Sequence, residues 1–199
     1  MKNLKFNLYI LLSIFIIGCT SRQVSRISAD SQIDLSGRWN DTDSRLVAEE
    51  ITKSLLSHFW INEFQEKNER KPTAIIGTIR NLSSEHIETT TFIKDIEREL
   101  INSGKVTFVA SSSERKEIRE ERTEQQLEAS EETAKKLASE TGADFMLKGS
   151  FKTLIDAVEG SEIKYYQVDV ELVNIETNEK IWMDTKKIKK IVEKNKFKW

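Results

Sequence analysis

The chain has 199 residues, 38% hydrophobic and 32% charged, with 31 basic and 33 acidic side chains and a formal net charge of −2. That balance gives no overall field to attract nucleic acid, while four tryptophans and nine phenylalanines argue against a disordered chain. One cysteine, Cys19, excludes an intramolecular disulfide and a cysteine-based zinc cage, and with only His58 and His86 besides, no metal site is expected.

Lys2 and Lys5 precede a short apolar stretch, Phe6 to Ile17. As a helix it would rise only about 18 Å, too little for a hydrocarbon core of about 30 Å. The pattern is that of a signal peptide. It ends in Ile16-Ile17-Gly18-Cys19, which resembles the bacterial lipobox. The resemblance implies cleavage between Gly18 and Cys19 and a diacylglyceryl, N-acylated Cys19, enough acyl chain for stable anchoring. The other reading of Cys19 is a structural cysteine in a leader. Removal of residues 1–18 leaves 29 basic against 33 acidic residues, a net charge of −4. Thr20, where an aspartate would favour the inner membrane, points to the outer membrane, periplasmic face.

Residues 20–36 are polar and aperiodic and read as a tether, at most about 60 Å long and averaging about 23 Å as a coil. Asn40 and Asp43 have capping-box spacing, with Trp39 as an apolar staple. Val47, Ile51, Leu55 and Phe59 then recur every four residues, the buried stripe of a helix. A short helix is expected over 61–67, closed by Pro72. The run 73–79 fits a strand buried on both faces. Phe92, Ile93, Ile96, Leu100 and Ile101 mark an amphipathic helix stopped by Gly104, and 106–109 a short strand.

Residues 111–128 carry Arg115, Arg119 and Arg122 on one helical face and Glu117, Glu121, Glu124 and Glu128 on another. The expected helix is long, exposed and mobile, either simply solvated or a surface for a partner. Ala134, Leu137 and Ala138 suggest a further helix ending at Gly142. Alternation over 145–151 and 166–172 gives two half-buried strands, and 176–179 turns the chain into a last strand, 180–188. The order implies an α/β (α+β) domain: a mixed sheet of four to five strands flanked by about four helices. The expected segments are the leader (1–18), the lipidated N-terminus and tether (19–36), the globular domain (37–190) and a basic tail (191–199).

Several stretches resemble the LpoB family, lipoprotein activators of penicillin-binding proteins. They are 35–41 (LSGRWND), 44–50 (SRLVAEE), 77–81 (GTIRN) with 83–87 (SSEHI), 100–105 (LINSGK), 130–134 (SEETA) with 142–145 (GADF), and 179–182 (EKIW). The resemblance implies a globular domain similar to the TolB N-terminal domain. It also implies binding to a non-catalytic domain of a bifunctional peptidoglycan synthase, a class A penicillin-binding protein, with stimulation of its glycosyl transfer and transpeptidation. No cofactor is implied beyond the lipid on Cys19. The chain departs from the best-known members in lacking a long proline-rich tether.

Two Ser-x-x-Lys tetrads occur, Ser113 to Lys116 and Ser161 to Lys164, without the Lys-Thr-Gly or Ser-Asp-Asn companions that nucleophilic serine chemistry requires. No phosphate-binding glycine loop is present. His86 reads as a loop residue and His58 as a helix-end residue favoured by the dipole. Lys186, Lys187, Lys189, Lys190, Lys194, Lys196 and Lys198 interleave with apolar residues at the end of the chain. They suit either anionic lipid or wall polymer, or a lysine-guarded edge strand. Strand parity puts Lys148, Gln167, Asp169 and Glu171 away from the buried face. Lys148, Asp169, Glu179 and Trp182 are the expected partner-binding residues, with packing beneath a helix as the other role for Trp182. The expected protein is a monomeric, non-catalytic outer-membrane lipoprotein that activates a synthase. The alternatives are an envelope scaffold binding other proteins or wall polymer, and a hydrolase.

Overall fold

The computed structural model describes residues 23–29, 31–128 and 142–193, with backbone alone at 112, 113 and 124–128. The chain divides into two units, 1–31 and 32–199. The described part of the first has no helix or strand. Cys19 and its leader, the helix expected around Ala134 and the lysines beyond Glu193 lie outside the described residues.

In the second unit the elements are α1 (Asp41–Ser57), α2 (Trp60–Asn68), β1 (Thr73–Asn81), α3 (Thr89–Ser103), β2 (Thr107–Phe108), α4 (Ser112–Glu128), β3 (Phe145–Val158), β4 (Ser161–Asn174) and β5 (Lys180–Glu193). The sheet order is β2-β1-β3-β4-β5. β1 runs parallel to β2 and β3, while β3, β4 and β5 are antiparallel neighbours. This is the expected mixed sheet.

α1 begins with the expected capping box. The Asp43 N–H donates to Asn40 Oδ1 and the Asn40 N–H to Asp43 Oδ2, each at 3.0 Å. Two orphan donors of the first turn are thereby satisfied. The staple takes a different form: the residue it would meet on the helix is Ser44, and Trp39 packs edge-on against Phe151 and Tyr166 instead, with centroids 5.1 and 5.6 Å apart. The far end also departs from the periodicity. α1 stops at Ser57 and His58 is extended, so Phe59 swings out to 60% exposure and Trp60 takes the buried place. The Trp60 Nε1–H donates to the Leu55 carbonyl at 3.0 Å, closing one of the open acceptors at the helix end.

The core lies on one face of the sheet. Ala74, Ile76, Phe145, Leu147, Phe151, Tyr166, Val168, Val170, Leu172 and Trp182 meet Val47, Ile51, Leu55, Phe92, Ile96 and Leu100 from α1 and α3. Phe151 sits against Phe92, and Phe145 against Trp60 and Phe64 of α2, so two aromatic clusters fix the helices to β3. β1 is buried over Thr73–Ile76; its pairing with β3 then shifts register between Ile76 and Ile79, so that Ile79 and not Thr78 is the next buried residue. On α4, residues 116–121 and Thr123 are exposed, while Glu114, Arg115 and Arg122 are half-buried.

The three antiparallel strands are each 14 residues long, well beyond the expected spans. β3 and β4 meet in a turn at Glu159–Gly160, where Gly160 has φ 84°. β5 continues to Glu193, past the expected start of the tail, and is the edge strand of the sheet.

Candidate partner-binding face

A buried polar cluster ties the start of the domain to the sheet. Glu85, in the loop after β1, accepts from Lys164 Nζ at 2.7 Å, from Tyr166 Oη at 2.8 Å and from the Trp39 N–H at 3.3 Å. Burial pushes its carboxyl up, but these donors outweigh burial and hold it below the usual carboxylate value. Tyr166 is driven up, first by burial and then by Glu85. Beside it Lys190 donates to both Asp34 and Asp43, each at 2.6 Å. Burial would lower its affinity for a proton, yet the two carboxylates raise it. Asp34 therefore belongs to the folded domain, and the tether ends before it rather than at residue 36. Its attachment follows from Lys190 standing on the helix-side face of β5, over the N-terminus of α1, where carboxylates are favoured.

The Ser-x-x-Lys tetrads receive no support. Ser161 and Lys164 lie three residues apart on β4, so their side chains leave opposite faces of the strand, and Lys164 is spent on Glu85. Lys116 is 80% exposed on α4. His58 caps α1, stacks on Phe59 at 4.0 Å and accepts from the Trp60 N–H, the structural role expected of it.

The four expected partner residues fall in three places. Lys148 and Asp169 share the face opposite the core, but in different ion groups. Asp169 accepts from Lys152 at 2.8 Å, Gln167 at 2.7 Å and Thr185 at 2.8 Å. Burial alone would raise its carboxyl, and these donors lower it. Glu171 is held low chiefly by Lys180 at 2.6 Å, with Lys148 further off at 3.6 Å. Glu179 lies at the base of the sheet, lining a groove of about 500 Å³ with Phe64, Arg70, Asp144 and Ile175. Arg70 and Asp144 close on each other there at 2.8 and 2.6 Å.

Trp182 takes the packing role, not the partner-binding one. It pairs in register with Leu172 and is 6% exposed inside the core, beneath α1, so it cannot share a surface with Lys148 and Asp169. Parity sets Trp182 apart from Met183, which is 62% exposed on the open face, but not from Ile181, which also packs against the core where the pairing of β4 with β5 shifts register.

The open face has a feature the alternation does not reveal. Toward the β3–β4 turn its charged rows give way to Leu154, Ile163, Tyr165 and Ile191, around a groove of about 480 Å³. The only sequence signal is the break in alternation at Leu154-Ile155 and Ala157-Val158, where no polar residue marks a solvent side.

Comparison with known proteins places this geometry. No match is found among curated protein sequences. Among solved structures the chain is similar to the LpoB C-terminal domain from Escherichia coli, at 16% identity and a TM-score of 0.45, covering 73% of this chain and 98% of that one. It is also similar to the LpoB C-terminal domain from Salmonella enterica, at 17% identity and a TM-score of 0.37, covering 64% and 91%. The sequence model of the peptidoglycan-synthase activator LpoB matches residues 43–188, from the cap of α1 to the middle of β5. The chain belongs to the LpoB family of peptidoglycan-synthase activators.

Proposed function

We propose that this protein is a lipid-anchored, outer-membrane LpoB-type activator that binds a bifunctional class A penicillin-binding protein and favours its active state. The observation that carries the reading is the family match across almost the whole folded domain. The lipobox-like Ile16-Ile17-Gly18-Cys19 supports the anchor. The buried charges support a non-catalytic role: Glu85, Lys164, Tyr166, Lys190 and Asp43 are bonded to one another in closed groups. An activator must bind the active form of the synthase more tightly than the inactive form, and the difference sets how far it shifts the equilibrium.

Attachment of Asp34 shortens the tether to residues 20–33, about 48 Å fully extended and about 21 Å on average as a coil. The domain therefore stays close to its membrane, and the synthase must carry its own docking domain outward to meet it.

The experiment is chemical cross-linking in native cells followed by mass spectrometry of the purified protein. The expected result is a diacylglyceryl Cys19 at the N-terminus and a class A synthase among the cross-linked products. A free Cys19 thiol with an intact leader, and no synthase cross-linked, would refute the reading.

A further inference from the structure

A slot lies between β2 and α4. Arg115, Ile118 and Arg122, spaced by about one turn along α4, face residues 107–110 across a cavity of about 280 Å³. The start of the helix is pinned beside it: Glu114 accepts from Lys94 of α3 at 2.7 Å and from the Ser111 N–H at 2.8 Å. β2 is an edge strand of the sheet. Its Thr107 N–H donates to the Pro72 carbonyl and the Val109 N–H to the Ala74 carbonyl, at 2.8 and 3.0 Å, both toward β1. Backbone groups alternate in direction along a strand, so the N–H and C=O of Phe108, between these two, point away from β1. Among the described residues no strand takes them up.

Arg115 stands half-buried in the wall of this slot. Its Nε is shut off from water and has no hydrogen-bond partner, and its guanidinium meets no carboxylate among the described residues. A cation desolvated in this way costs stability until an acceptor reaches it. The neighbouring acid is not free to do so, because Glu114 is spent on Lys94 and Ser111. No acidic side chain among the described residues lines the slot. Arg122 already takes part in another interaction, so the free head is that of Arg115.

We propose that the slot is a docking site for an extended peptide segment of a protein partner, which adds as a strand to the outer edge of β2 and sets a carboxylate on the Arg115 guanidinium. The site goes beyond the synthase reading, because it stands on β2 and α4 whatever the partner's identity. Phe108 offers a donor and an acceptor together, which a strand backbone matches and a free anion does not. Val109, Ala110 and the 44%-exposed Ile118 give the slot apolar walls for the segment's side chains. Ordinary ligand pockets hold about 300–1,000 Å³, so this one takes a few residues and not a folded surface. α4 flanks the open edge, which leaves room for a single strand and not for the sheet of a second copy. A guanidinium pairs with a carboxylate through two parallel bonds, which fixes the segment's register. Residues 114–122 carry four acids and four bases, so a carboxylate is selected by contact in the slot and not by a long-range field.

The test is NMR titration of the isotope-labelled full mature protein in detergent micelles, reading the Phe108 amide and the Arg115 Nε–H. The probes are acetyl-Thr-Val-Glu-Val-Thr-amide, the same blocked peptide with glutamine for glutamate, the glutamine peptide with a free C-terminus, and sodium phosphate. The expected result is a saturable shift of both signals with the glutamate peptide, and at least fivefold weaker binding of the blocked glutamine peptide. Restored binding of the free-ended glutamine peptide would place a chain terminus on Arg115, and its failure an acidic side chain. Arg115→Gln should abolish the preference for glutamate over glutamine, and Arg115→Lys should keep part of it. Urea midpoints confirm folding of both variants, and Arg115→Gln is expected to be no less stable than the wild type. Absence of a shift with the glutamate peptide at about 5 mM, or equal binding of the two blocked peptides, would overturn the proposal. So would phosphate that reproduces both shifts, which would make this a small-anion site. Self-association of the wild type that Arg115→Gln removes, without peptide binding, would assign the slot to a second copy and overturn it as well.

Discussion

Tyr166 donates its phenolic hydrogen to Glu85 across 2.8 Å, joining the middle of β4 to a loop 81 residues earlier in the chain. The same carboxylate holds Lys164, which is 9% exposed. A single side chain thus compensates a nearly buried ammonium and locks the approach of Trp39.

Glu85→Ala leaves Lys164 buried without its partner. Removing one member of a buried pair costs about 3–5 kcal/mol. The expected outcome in urea unfolding is a loss at the lower end of that range, because Glu162 lies 3.7 Å from Lys164 and relieves part of the charge. A change below about 0.5 kcal/mol would show that the pair does not hold the fold.

Acid should destabilise the domain through the same group. The Glu85 and Asp169 carboxyls lie below their ordinary values in the folded protein. As pH falls, the unfolded chain takes up these protons first. The stabilisation is therefore complete above the unfolded carboxylate values, near 4, and drains away as pH drops through the folded ones. Urea midpoints should be flat from pH 7 to about 5.5 and fall below it. Glu85→Gln should show a shallower fall than the wild type, and an identical profile would remove Glu85 from the explanation.

The alternation of β3, β4 and β5 makes their faces legible in sequence, and the Asn40–Asp43 spacing makes the start of α1 legible. Both signals are local and periodic. The Glu85–Lys164 pair is neither: its members lie 79 residues apart, and a loop glutamate beside an isolated strand lysine looks like ordinary surface charge. The exchange of Phe59 for Trp60 is hidden for another reason. Spacing every four residues continues through Phe59, but the backbone turns at His58 and ends the helix first. The outer halves of the long strands are missed because no helix among the described residues covers them, so nothing there enforces a polar–apolar alternation at Leu154-Ile155.

Trp182 and Lys148 should separate cleanly, although both carry the sequence signals of a contact residue. Trp182→Ala empties a core position and should cost about 3–5 kcal/mol. Lys148→Ala removes a loose 3.6 Å ion pair on the surface and should change stability by under about 1 kcal/mol. Differential scanning calorimetry of the two variants checks the contrast, and equal melting temperatures would contradict it.

Gly149 permits the close pairing of β3 with β4. A Cβ there would stand 2.6 Å from the Asp169 carbonyl oxygen, a backbone atom that cannot rotate aside. Gly149→Ala should therefore destabilise by about 1–3 kcal/mol through displacement of the two strands. Amide exchange should accelerate around Val168–Val170, and unchanged protection there would argue that the sheet absorbs the methyl group.

Stimulation of glycan polymerisation tests the central claim most directly. The mature protein is titrated into a lipid II polymerisation assay with each class A synthase of its own host. A saturable rise in chain-elongation rate with at least one of them is the result predicted. Rates that stay at the synthase-alone value for all of them, with binding absent at micromolar concentrations, would contradict it.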